Sequence, residues 1–318
     1  MHIILITPAP PSSRAGNRTT ATRWANILQT LGHQVDITTE YDGQAYDMMI
    51  ALHAWRSAEA IQHFTAHYPH HPLIVALTGT DAYRFIHSHP ETTLKSIALA
   101  DRLVGLHTRI ADTLPEKYRH KLQVIMQSAE PIAARSPDKT RFGICVAGHL
   151  REEKDPLRPA MAIRNLPNNS KISLHHYGKA HTPEWAERAR AEMATNPRYQ
   201  WHGEVDHAVV QEAYRSCHLL VLPSRMEGGA NVISEAIVAG IPVIASRISG
   251  SIGLLGENYP GYYPVEDEQA LQDILLRAEN DGVFYQRLMD DCAKLKSLFT
   301  VEQEQAGWES VLEKIQAR

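Results

Sequence analysis

The sequence predicts an α/β fold built from two parallel-sheet domains. Short apolar segments alternate with amphipathic segments along much of the 318-residue chain, and this alternation occurs twice. Apolar strands that each precede an amphipathic helix are typical of a parallel sheet covered on both faces. Between the two series, residues 130–140 are polar and contain two prolines, which predicts a linker. The length also fits two domains.

The first series predicts six strands and four helices, because short apolar runs alternate with amphipathic runs of helical period. Gly32 follows the first helix and ends it. The predicted strands cover residues 2–7, 34–39, 47–53, 72–79, 102–107 and 122–127, and the helices cover 20–31, 58–67, 91–100 and 109–114.

The second series predicts a further six strands, with five helices between or after them, and a final amphipathic helix over 300–315 capped by Thr300. The strands cover 141–148, 171–178, 199–205, 217–224, 242–246 and 262–265, and the helices cover 156–165, 184–195, 207–216, 232–239 and 268–278. We therefore predict an N-terminal domain over 1–135 and a C-terminal domain over 136–299. The last segment, 300–318, is expected to pack back on the N-terminal domain.

Composition excludes several classes of function. The net charge of −4 lacks the basic field of nucleic-acid-binding proteins. No apolar run approaches the length that spans a bilayer, and the first residues predict a strand instead of a signal peptide. The three cysteines are far apart and lack metal-type spacing, which favours reduced thiols. We therefore expect a cytoplasmic protein with no nucleic-acid or membrane partner.

A pair of glutamates brackets a glycine turn after the predicted strand 217–224. Glu227 precedes Gly228 and Gly229, and Glu235 lies about one turn into the helix that follows. Free N–H groups at the start of a helix bind anions such as phosphate, whereas carboxylates accept hydrogen bonds from sugar hydroxyls. The combination favours a nucleotide sugar as ligand. The alternative is that Glu227 is a solvated loop residue and Glu235 a surface residue of the helix.

This motif, continued by "EAIVAGIPVIAS" (235–246), resembles the retaining GT-B glycosyltransferases of family four. The resemblance implies the GT-B fold, in which two Rossmann-like domains face each other across a cleft. It implies that Glu227 contacts the donor hexose and that Glu235 holds the ribose hydroxyls. The residues that it places along the donor phosphates are Gly228, Gly229, Asn231 and Val232.

A second motif follows the first strand of the C-terminal half, "AGHLREEKDPLRP" (147–159). The family has an arginine and, five residues later, a lysine, and both hold the donor diphosphate. Lys154 matches the lysine, but His149 stands where the arginine is expected. Arg151 is one candidate for the missing cation, since arginine suits bidentate contact with phosphate. His149, which we also predict to bind the donor, is the other candidate if it is protonated. The alternative is that Arg151 and Lys154 belong to a solvated, charged helix entry.

In the N-terminal half, polar residues follow several predicted strands, where parallel sheets bind ligands. The resemblance implies that the loop with Gly16, Asn17 and Arg18 approaches the donor phosphates. For the acceptor we predict contacts from Arg14, Arg56, Thr80 and Asp81, with His53 as a catalytic residue. The alternative for His53 is a buried histidine satisfied by hydrogen bonds.

The stretches "LHAWRSA", "LTGTDAY", "AGHLREEKDPLR", "EGGANVISEA" and "ISGSIGLLGENYPGYYPV" together resemble the selenosugar synthases of selenoneine biosynthesis. This resemblance runs from Met1 to about Val265. It implies transfer of GlcNAc or glucose from a UDP-sugar to selenophosphate, with UDP, phosphate and a 1-seleno-sugar as products. The sequence departs from the pattern at Trp55, where a second basic residue is expected beside Arg56.

The implied mechanism assigns a role to each catalytic candidate. Lys154 and Arg151 stabilise departing UDP and Glu227 orients the hexose. Because selenium in selenophosphate is already an anionic nucleophile, no general base is needed, and His53 is assigned to phosphate loss. No metal or other cofactor is expected, since Asp-x-Asp is absent near the diphosphate motif. The implied pathway partners are a selenophosphate synthetase and an iron-dependent selenoneine synthase.

Three alternatives remain open at this point. A conventional family-four enzyme would transfer the hexose to an oxygen or sulfur acceptor on a lipid, a glycan or a small thiol. A GT-B epimerase would act on a UDP-sugar alone. A catalytically silent protein would bind the nucleotide sugar without releasing UDP.

Overall fold

The computed structural model describes residues 1–13 and 16–317. The chain forms two compact units. The first comprises 1–127 apart from 14 and 15, with 227–229 and 301–317, and the second comprises 128–226 and 230–300. The predicted boundary was at residue 135. The Ala129 N–H donates to the Phe299 carbonyl at 3.1 Å within the second unit.

The first unit has six strands in the order β2-β1-β3-β4-β5-β6, and all five pairings are parallel. The central strand β3 is wholly buried: Met48, Ile50 and Leu52 join the core on one face, and Met49 and Ala51 join the core on the other. Burial on both faces explains the uninterrupted apolar run. The strands are β1 (His2–Ile6), β2 (Gln34–Thr38), β3 (Met48–Leu52), β4 (Leu73–Leu77), β5 (Arg102–Gly105) and β6 (Leu122–Val124).

Among the described residues of the first 127, five α-helices accompany this sheet: α1 (Gly16–Thr30), α2 (Ala58–His67), α3 (Ile86–Ser88), α4 (Pro90–Leu99) and α5 (Glu116–Arg119). The helix predicted over 109–114 is wrong in type, because Thr108–Thr113 forms a 3-10 helix. The sequence also gave no sign of the π-helical turn Asp81–Phe85, a rare conformation that is frequent at functional sites.

The second unit repeats the architecture with six parallel strands in the order β12-β11-β10-β7-β8-β9. The strands are β7 (Phe142–Ala147), β8 (Ile172–Tyr177), β9 (Tyr199–Trp201), β10 (Leu219–Leu222), β11 (Val243–Ser246) and β12 (Tyr262–Tyr263). Chain order reverses at the centre of this sheet, because β7 is flanked by β8 on one side and by β10 on the other. Ligands of such sheets bind at the carboxyl ends of the strands beside this reversal.

Seven helices accompany the second sheet: α6 (Arg158–Ala162), α7 (Pro183–Thr195), α8 (His207–Ser216), α9 (Asn231–Ala239), α10 (Ser249–Leu255), α11 (Glu268–Asn280) and α12 (Gly282–Leu295). Two of them, α10 and α12, were not predicted. The first is short and begins with Ser-Gly-Ser, a composition typical of loops. The second follows α11 after Asp281 alone, whose side chain accepts hydrogen bonds from the Val283 and Phe284 N–H groups and so starts a new helix.

The final helix, α13 (Val301–Gln316), belongs to the first unit and packs on α1. Its Glu304 is fully buried and accepts hydrogen bonds from the Trp24 indole at 2.7 Å and the Arg23 guanidinium at 2.8 Å. Trp308 packs edge-on against Trp24, with ring centroids 4.7 Å apart. Within the described part of the chain, no helix is both long and apolar enough to cross a membrane.

Candidate functional site

In the second unit, the loops that follow β7 and β10 are joined at the reversal of strand order. The Arg225 N–H, after β10, donates to the Glu153 carbonyl, after β7, at 2.9 Å. Lys154 ends a short 3-10 turn, and Asp155 follows it in a left-handed conformation with φ 42°. The two loops therefore form one polar rim at the edge of the sheet where ligands bind.

Ion pairs hold the turn that carries Lys154. Asp155 is almost fully buried. Its carboxylate accepts a hydrogen bond from the Arg158 guanidinium at 2.8 Å and lies 3.8 Å from the Arg225 guanidinium. Arg225 in turn pairs with Glu266 at 2.5 Å. Because several of these charges are partly screened from water, the network fixes the backbone of the turn more firmly than isolated surface pairs would.

Arg151 carries an unused donor beside Lys154. Its Nε is buried and has no hydrogen-bond partner, and its nearest recorded anion is the Glu153 carboxylate at 4.0 Å. A buried guanidinium N–H without an acceptor is costly, so this group is a candidate donor to a bound ligand. The geometry fits the predicted contact between Arg151 and a diphosphate.

His149 is a neutral group in this site. Its Nδ1 accepts a hydrogen bond from the Lys179 N–H at 3.2 Å, so the neutral ring carries its proton on Nε2. Burial, followed by the neighbouring His181, Arg151 and Lys154, lowers the pKa of His149 to about 4. His149 thus offers a neutral donor and does not replace the arginine charge.

His176 supports the start of the same loop and was missed by the sequence analysis. It is buried on β8, with Nε2 at 3.0 Å from the Gly148 carbonyl and Nδ1 at 3.2 Å from the Tyr199 hydroxyl. Burial lowers the pKa of His176 to about 4. A neutral His176 therefore donates a hydrogen bond to the Gly148 carbonyl and holds in place the backbone just before His149. The only sequence signal was a histidine inside a predicted strand.

The amino terminus of α9 is the second element of this rim. Asn231 and Val232 open the helix, and both are half-buried. The first turn contains no acidic residue, and Ala230 at the N-cap provides no side-chain cap. Helix starts of this kind favour an anion, since backbone N–H groups and the helix dipole both point toward it.

Glu235 lies one turn into α9 and is held by a tyrosine. The buried Tyr214 hydroxyl donates to Glu235 Oε2 at 2.9 Å. The other oxygen, Oε1, is 3.8 Å from Nε2 of His207, whose pKa is raised mainly by its interaction with the Glu235 carboxylate. The carboxylate is therefore oriented, and its side chain remains 22% exposed. Tyr214 had not been identified from the sequence.

The turn with Glu227 is part of the first unit. Glu227 is 8% exposed. A Cβ on Gly228 would lie 2.2 Å from the Gly79 nitrogen, and one on Gly229 would lie 2.4 Å from the Leu106 Cβ. Both glycines are thus required by contact with the protein's own backbone and side chains. Their predicted position along the donor phosphates stays a prediction.

His53 follows β3 with a φ of 76°, an unusual conformation for a residue with a side chain. Its Nδ1 accepts from the Arg56 N–H at 3.1 Å, and its Nε2 lies 2.8 Å from the Thr80 hydroxyl oxygen. Burial lowers the pKa of His53, although Asp81 opposes the shift. The ring is therefore neutral with both nitrogens engaged, which favours positioning of Thr80, and the predicted role in phosphate loss stays a prediction.

Asp81 is fully buried and serves the backbone. Its Oδ1 accepts from the Gly79 N–H at 2.8 Å, and its Oδ2 accepts from the Ala54 N–H at 2.9 Å. This carboxylate ties the loop after β4 to the loop after β3. The geometry favours this positioning role over the predicted direct contact with an acceptor.

The predicted cations of the first unit differ in their surroundings. Arg56 is exposed, and Arg14 lies outside the described residues. Arg18 sits in the first turn of α1, which holds no acidic residue, and its Nη1 is buried without a hydrogen-bond partner. Asn17 is half-buried and Gly16 is exposed at the start of that helix. Arg18 thus resembles Arg151 in having a buried donor available to an anion.

His107 and Tyr83 form a polar pair that the sequence analysis did not identify. The Tyr83 hydroxyl is 2.8 Å from Nε2 of His107, whose Nδ1 is buried without a partner. Burial lowers the pKa of His107 to about 4. Burial also raises the pKa of Tyr83, and the nearby charges of Asp112, Asp81 and Glu227 raise it further. The pair lies just after β5, so the available signal was a histidine at the carboxyl end of a strand.

Trp55 stands where the resemblance led us to expect a second basic residue. Its ring stacks on Phe85 with centroids 4.1 Å apart and an interplanar angle of 6°, and His89 lies at 4.9 Å. Phe85 belongs to the π-helical turn after β4. An aromatic stack therefore occupies this position beside Arg56. Among the described residues, no three His, Cys, Asp or Glu side chains are grouped so as to hold a metal ion.

Comparison with protein families decides the assignment. The family model for glycosyl transferases group 1 matches residues 129–294, just over half of the 318 residues. The chain belongs to this family. As a group 1 glycosyl transferase, it has the GT-B fold that the sequence predicted, with two parallel six-stranded sheets.

Known proteins with related sequences and structures agree with this assignment. A putative teichuronic acid biosynthesis glycosyltransferase of Bacillus subtilis, TuaC, is 29% identical over 144 residues, which are 45% of this chain and 34% of TuaC. The chain thus spans about a third of the length of that relative. Sucrose-phosphate synthase of Thermosynechococcus elongatus shares its fold, with a TM-score of 0.81, 16% identity and coverage of 100% and 99% of the two chains. Anabaena HepE, in a structure with UDP and glucose, has a TM-score of 0.78 and is 14% identical in sequence. The match covers 99% of this chain and 100% of HepE.

Proposed function

We propose that this group 1 glycosyl transferase moves GlcNAc or glucose from a UDP-sugar to selenophosphate. The selenium attacks the anomeric carbon, a carbon–selenium bond forms and UDP leaves. Water then cleaves the selenium–phosphorus bond, so that phosphate and a 1-seleno-sugar are released. One observation carries the donor part of the proposal: the buried, unpartnered Nε of Arg151 lies on the loop after β7, at the same reversal of strand order as the loop that leads into α9.

The donor diphosphate would bind to charged and neutral donors of the second unit. Lys154 and Arg151 would neutralise the charge that develops on departing UDP, and these two charges would contribute more than any neutral donor at the site. The neutral His149 would add a hydrogen bond without a charge. Glu235 would accept from the ribose hydroxyls, and Glu227 would orient the hexose. UDP in the HepE complex makes a uridine nucleotide the first choice of donor.

The acceptor part rests on the resemblance to selenosugar synthases and on charge. Arg56 and Arg18 offer cations to a small anion, and Arg18 has a buried donor without a partner. A selenophosphate acceptor needs no general base, which agrees with a His53 whose two nitrogens are already engaged. In this proposal His53 positions Thr80, whose hydroxyl is then free to donate to the acceptor.

The pathway context follows from the chemistry of the substrates. A selenophosphate synthetase would supply the acceptor, and an iron-dependent selenoneine synthase would consume the seleno-sugar. Both enzymes are proposed as metabolic neighbours and not as stable partners of this chain. The reaction as proposed requires no metal ion, because Lys154 and Arg151 supply positive charge at the leaving group.

A conventional transfer to an oxygen or sulfur acceptor is the second candidate, and one observation favours it. The Trp55–Phe85 stack lies where a second cation would suit a small anion. Aromatic faces pack against sugars and apolar groups, so this stack fits a larger acceptor such as a glycan, a lipid or a thiol. TuaC, as a putative teichuronic acid glycosyltransferase, is named for such a polymer.

The deciding experiment supplies UDP-GlcNAc or UDP-glucose together with selenophosphate made in situ, and measures UDP and products by mass spectrometry. The proposal predicts UDP release that depends on selenophosphate and a hexose product with the isotope pattern of selenium. A Trp55→Arg variant serves as the comparison, since it restores the expected cation and should lower the KM for selenophosphate. UDP release that ignores selenophosphate but responds to a glycan or thiol would establish the second candidate instead.

A further inference from the structure

The hydrogen bond between Tyr214 and Glu235 links two helices of the second unit. Tyr214 lies on α8 and is 1% exposed, and its hydroxyl donates to Glu235 Oε2 on α9 at 2.9 Å. No other hydrogen bond to this hydroxyl is recorded among the described residues. Burial, together with the Glu235 charge, raises the pKa of Tyr214 well above its usual range, so the hydroxyl stays protonated and acts as a donor.

This bond restricts what Glu235 can do. A glutamate side chain on a helix surface samples many rotamers, and holding it in one orientation costs up to about 2 kcal/mol. The Tyr214 hydroxyl fixes Oε2 from the buried side. Oε1 and the remaining lone pair of Oε2 are left to accept further hydrogen bonds at the partly exposed side, where His207 is the nearest group. The carboxylate is thus pre-oriented before any ligand arrives.

We propose that Tyr214 is a positioning residue that makes the site select ribonucleotide over 2′-deoxyribonucleotide donors. The inference rests on the proposed function, in which Glu235 accepts from the ribose hydroxyls. A carboxylate locked by Tyr214 accepts from two adjacent hydroxyls at once, whereas a mobile one adapts to a single hydroxyl. Loss of the lock therefore weakens binding of UDP more than binding of 2′-deoxy-UDP.

The test measures dissociation constants of UDP and 2′-deoxy-UDP by calorimetry for the full chain. Wild type should bind UDP at least about 10-fold more tightly, which corresponds to one hydrogen bond to a charged group. Tyr214→Phe should reduce this ratio to about 2-fold or less, mainly by weakening UDP. Tyr285→Phe is the matched control, because it removes another tyrosine hydroxyl bond of the same unit, to the His218 carbonyl at 3.0 Å. Its ratio should equal that of wild type.

A double-mutant cycle with Glu235→Asp tests whether the two side chains act together. Glu235→Asp withdraws the carboxylate from the Tyr214 hydroxyl by one methylene, while Tyr214 keeps its packing. The ratio should fall again, and adding Tyr214→Phe to Glu235→Asp should change it no further, because the coupling is already broken. A merely structural role for Tyr214 would lower stability and leave the ratio of the two affinities unchanged.

The outcomes separate the inference from the function on which it rests. If wild type binds neither nucleotide, the proposed function fails. If UDP binds but wild type does not discriminate between the nucleotides, or if Tyr214→Phe keeps the wild-type ratio, the inference is overturned and UDP binding stands. A ratio that falls equally in Tyr285→Phe also overturns it.

Discussion

Replacement of Glu304 by alanine should unfold the first unit far more readily. Glu304 is 0% exposed and is the acceptor for the Trp24 indole, itself 0% exposed, and for the Arg23 guanidinium, whose side chain is 18% exposed. Removing one partner of a buried ion pair costs about 3–5 kcal/mol, and an unsatisfied indole N–H adds about 1–3 kcal/mol. Because the surroundings relax and the two losses overlap, we expect a loss of about 4 kcal/mol.

Conservative and surface variants separate charge from packing in this prediction. Glu304→Gln keeps a carbonyl acceptor for Trp24 but loses the charge and the acceptor oxygen for Arg23, so about half of the loss is expected. Glu313→Ala, on an exposed position of the same helix, should stay within about 0.5 kcal/mol of wild type.

The assay must report on the first unit alone, since a chain of two units need not unfold in one step. Hydrogen exchange of peptides from α1 and α13, followed over a urea series, measures opening of that unit. Equal protection in Glu304→Ala and Glu313→Ala would refute the reasoning. Because α1 begins with Gly16 and carries Arg18, loss of its anchor should also weaken any binding that uses those residues.

Three further predictions concern the site. His149→Gln should leave the pH dependence of UDP binding unchanged between about pH 6 and pH 8, because a pKa of about 4 keeps His149 neutral there. His149→Arg should raise the affinity for UDP about 10-fold. Calorimetric titrations across this pH range that differed between wild type and His149→Gln would contradict the prediction. Gly228→Ala should lower the free energy of unfolding by about 2 kcal/mol or more, because the new Cβ would lie 2.2 Å from the Gly79 nitrogen. Gly282→Ala should cause no such loss, because the space around Gly282 is open. Excess chelator should leave UDP release unchanged, and activity that returned only with a divalent ion would refute metal independence.

The sequence was sufficient for the fold because burial leaves a strong pattern. Strands such as Met48–Leu52 are buried on both faces and read as continuous apolar runs, so their number and order along the chain could be predicted. The prediction of shorter elements was wrong where their local composition is typical of a different structure. Ser249–Leu255 begins like a loop, and the apolar spacing of Thr108–Thr113 does not distinguish a 3-10 helix from an α-helix.

The site was accessible to sequence reasoning only where chemistry follows a motif. Lys154, Arg151 and Glu235 stand in recognisable spacing, and their roles stay predictions. Tyr214 and Tyr83 act through partners 21 and 24 residues away, a separation that no local pattern reveals. At Gly228 the close approach of Gly79 is by itself a reason for a glycine, and the predicted contact with a ligand stays a prediction.

The central claim is that this chain transfers a hexose from a UDP-sugar with the help of Lys154. The most direct measurement compares UDP formation by wild type and by Lys154→Ala, from UDP-glucose and UDP-GlcNAc, with selenophosphate and then with glycan and thiol acceptors. We predict acceptor-dependent UDP formation by wild type and a loss of at least about 100-fold in the variant, as expected for removal of a charge at the leaving group. Equal rates in the two proteins, or no UDP from folded wild type with any acceptor, would contradict the account.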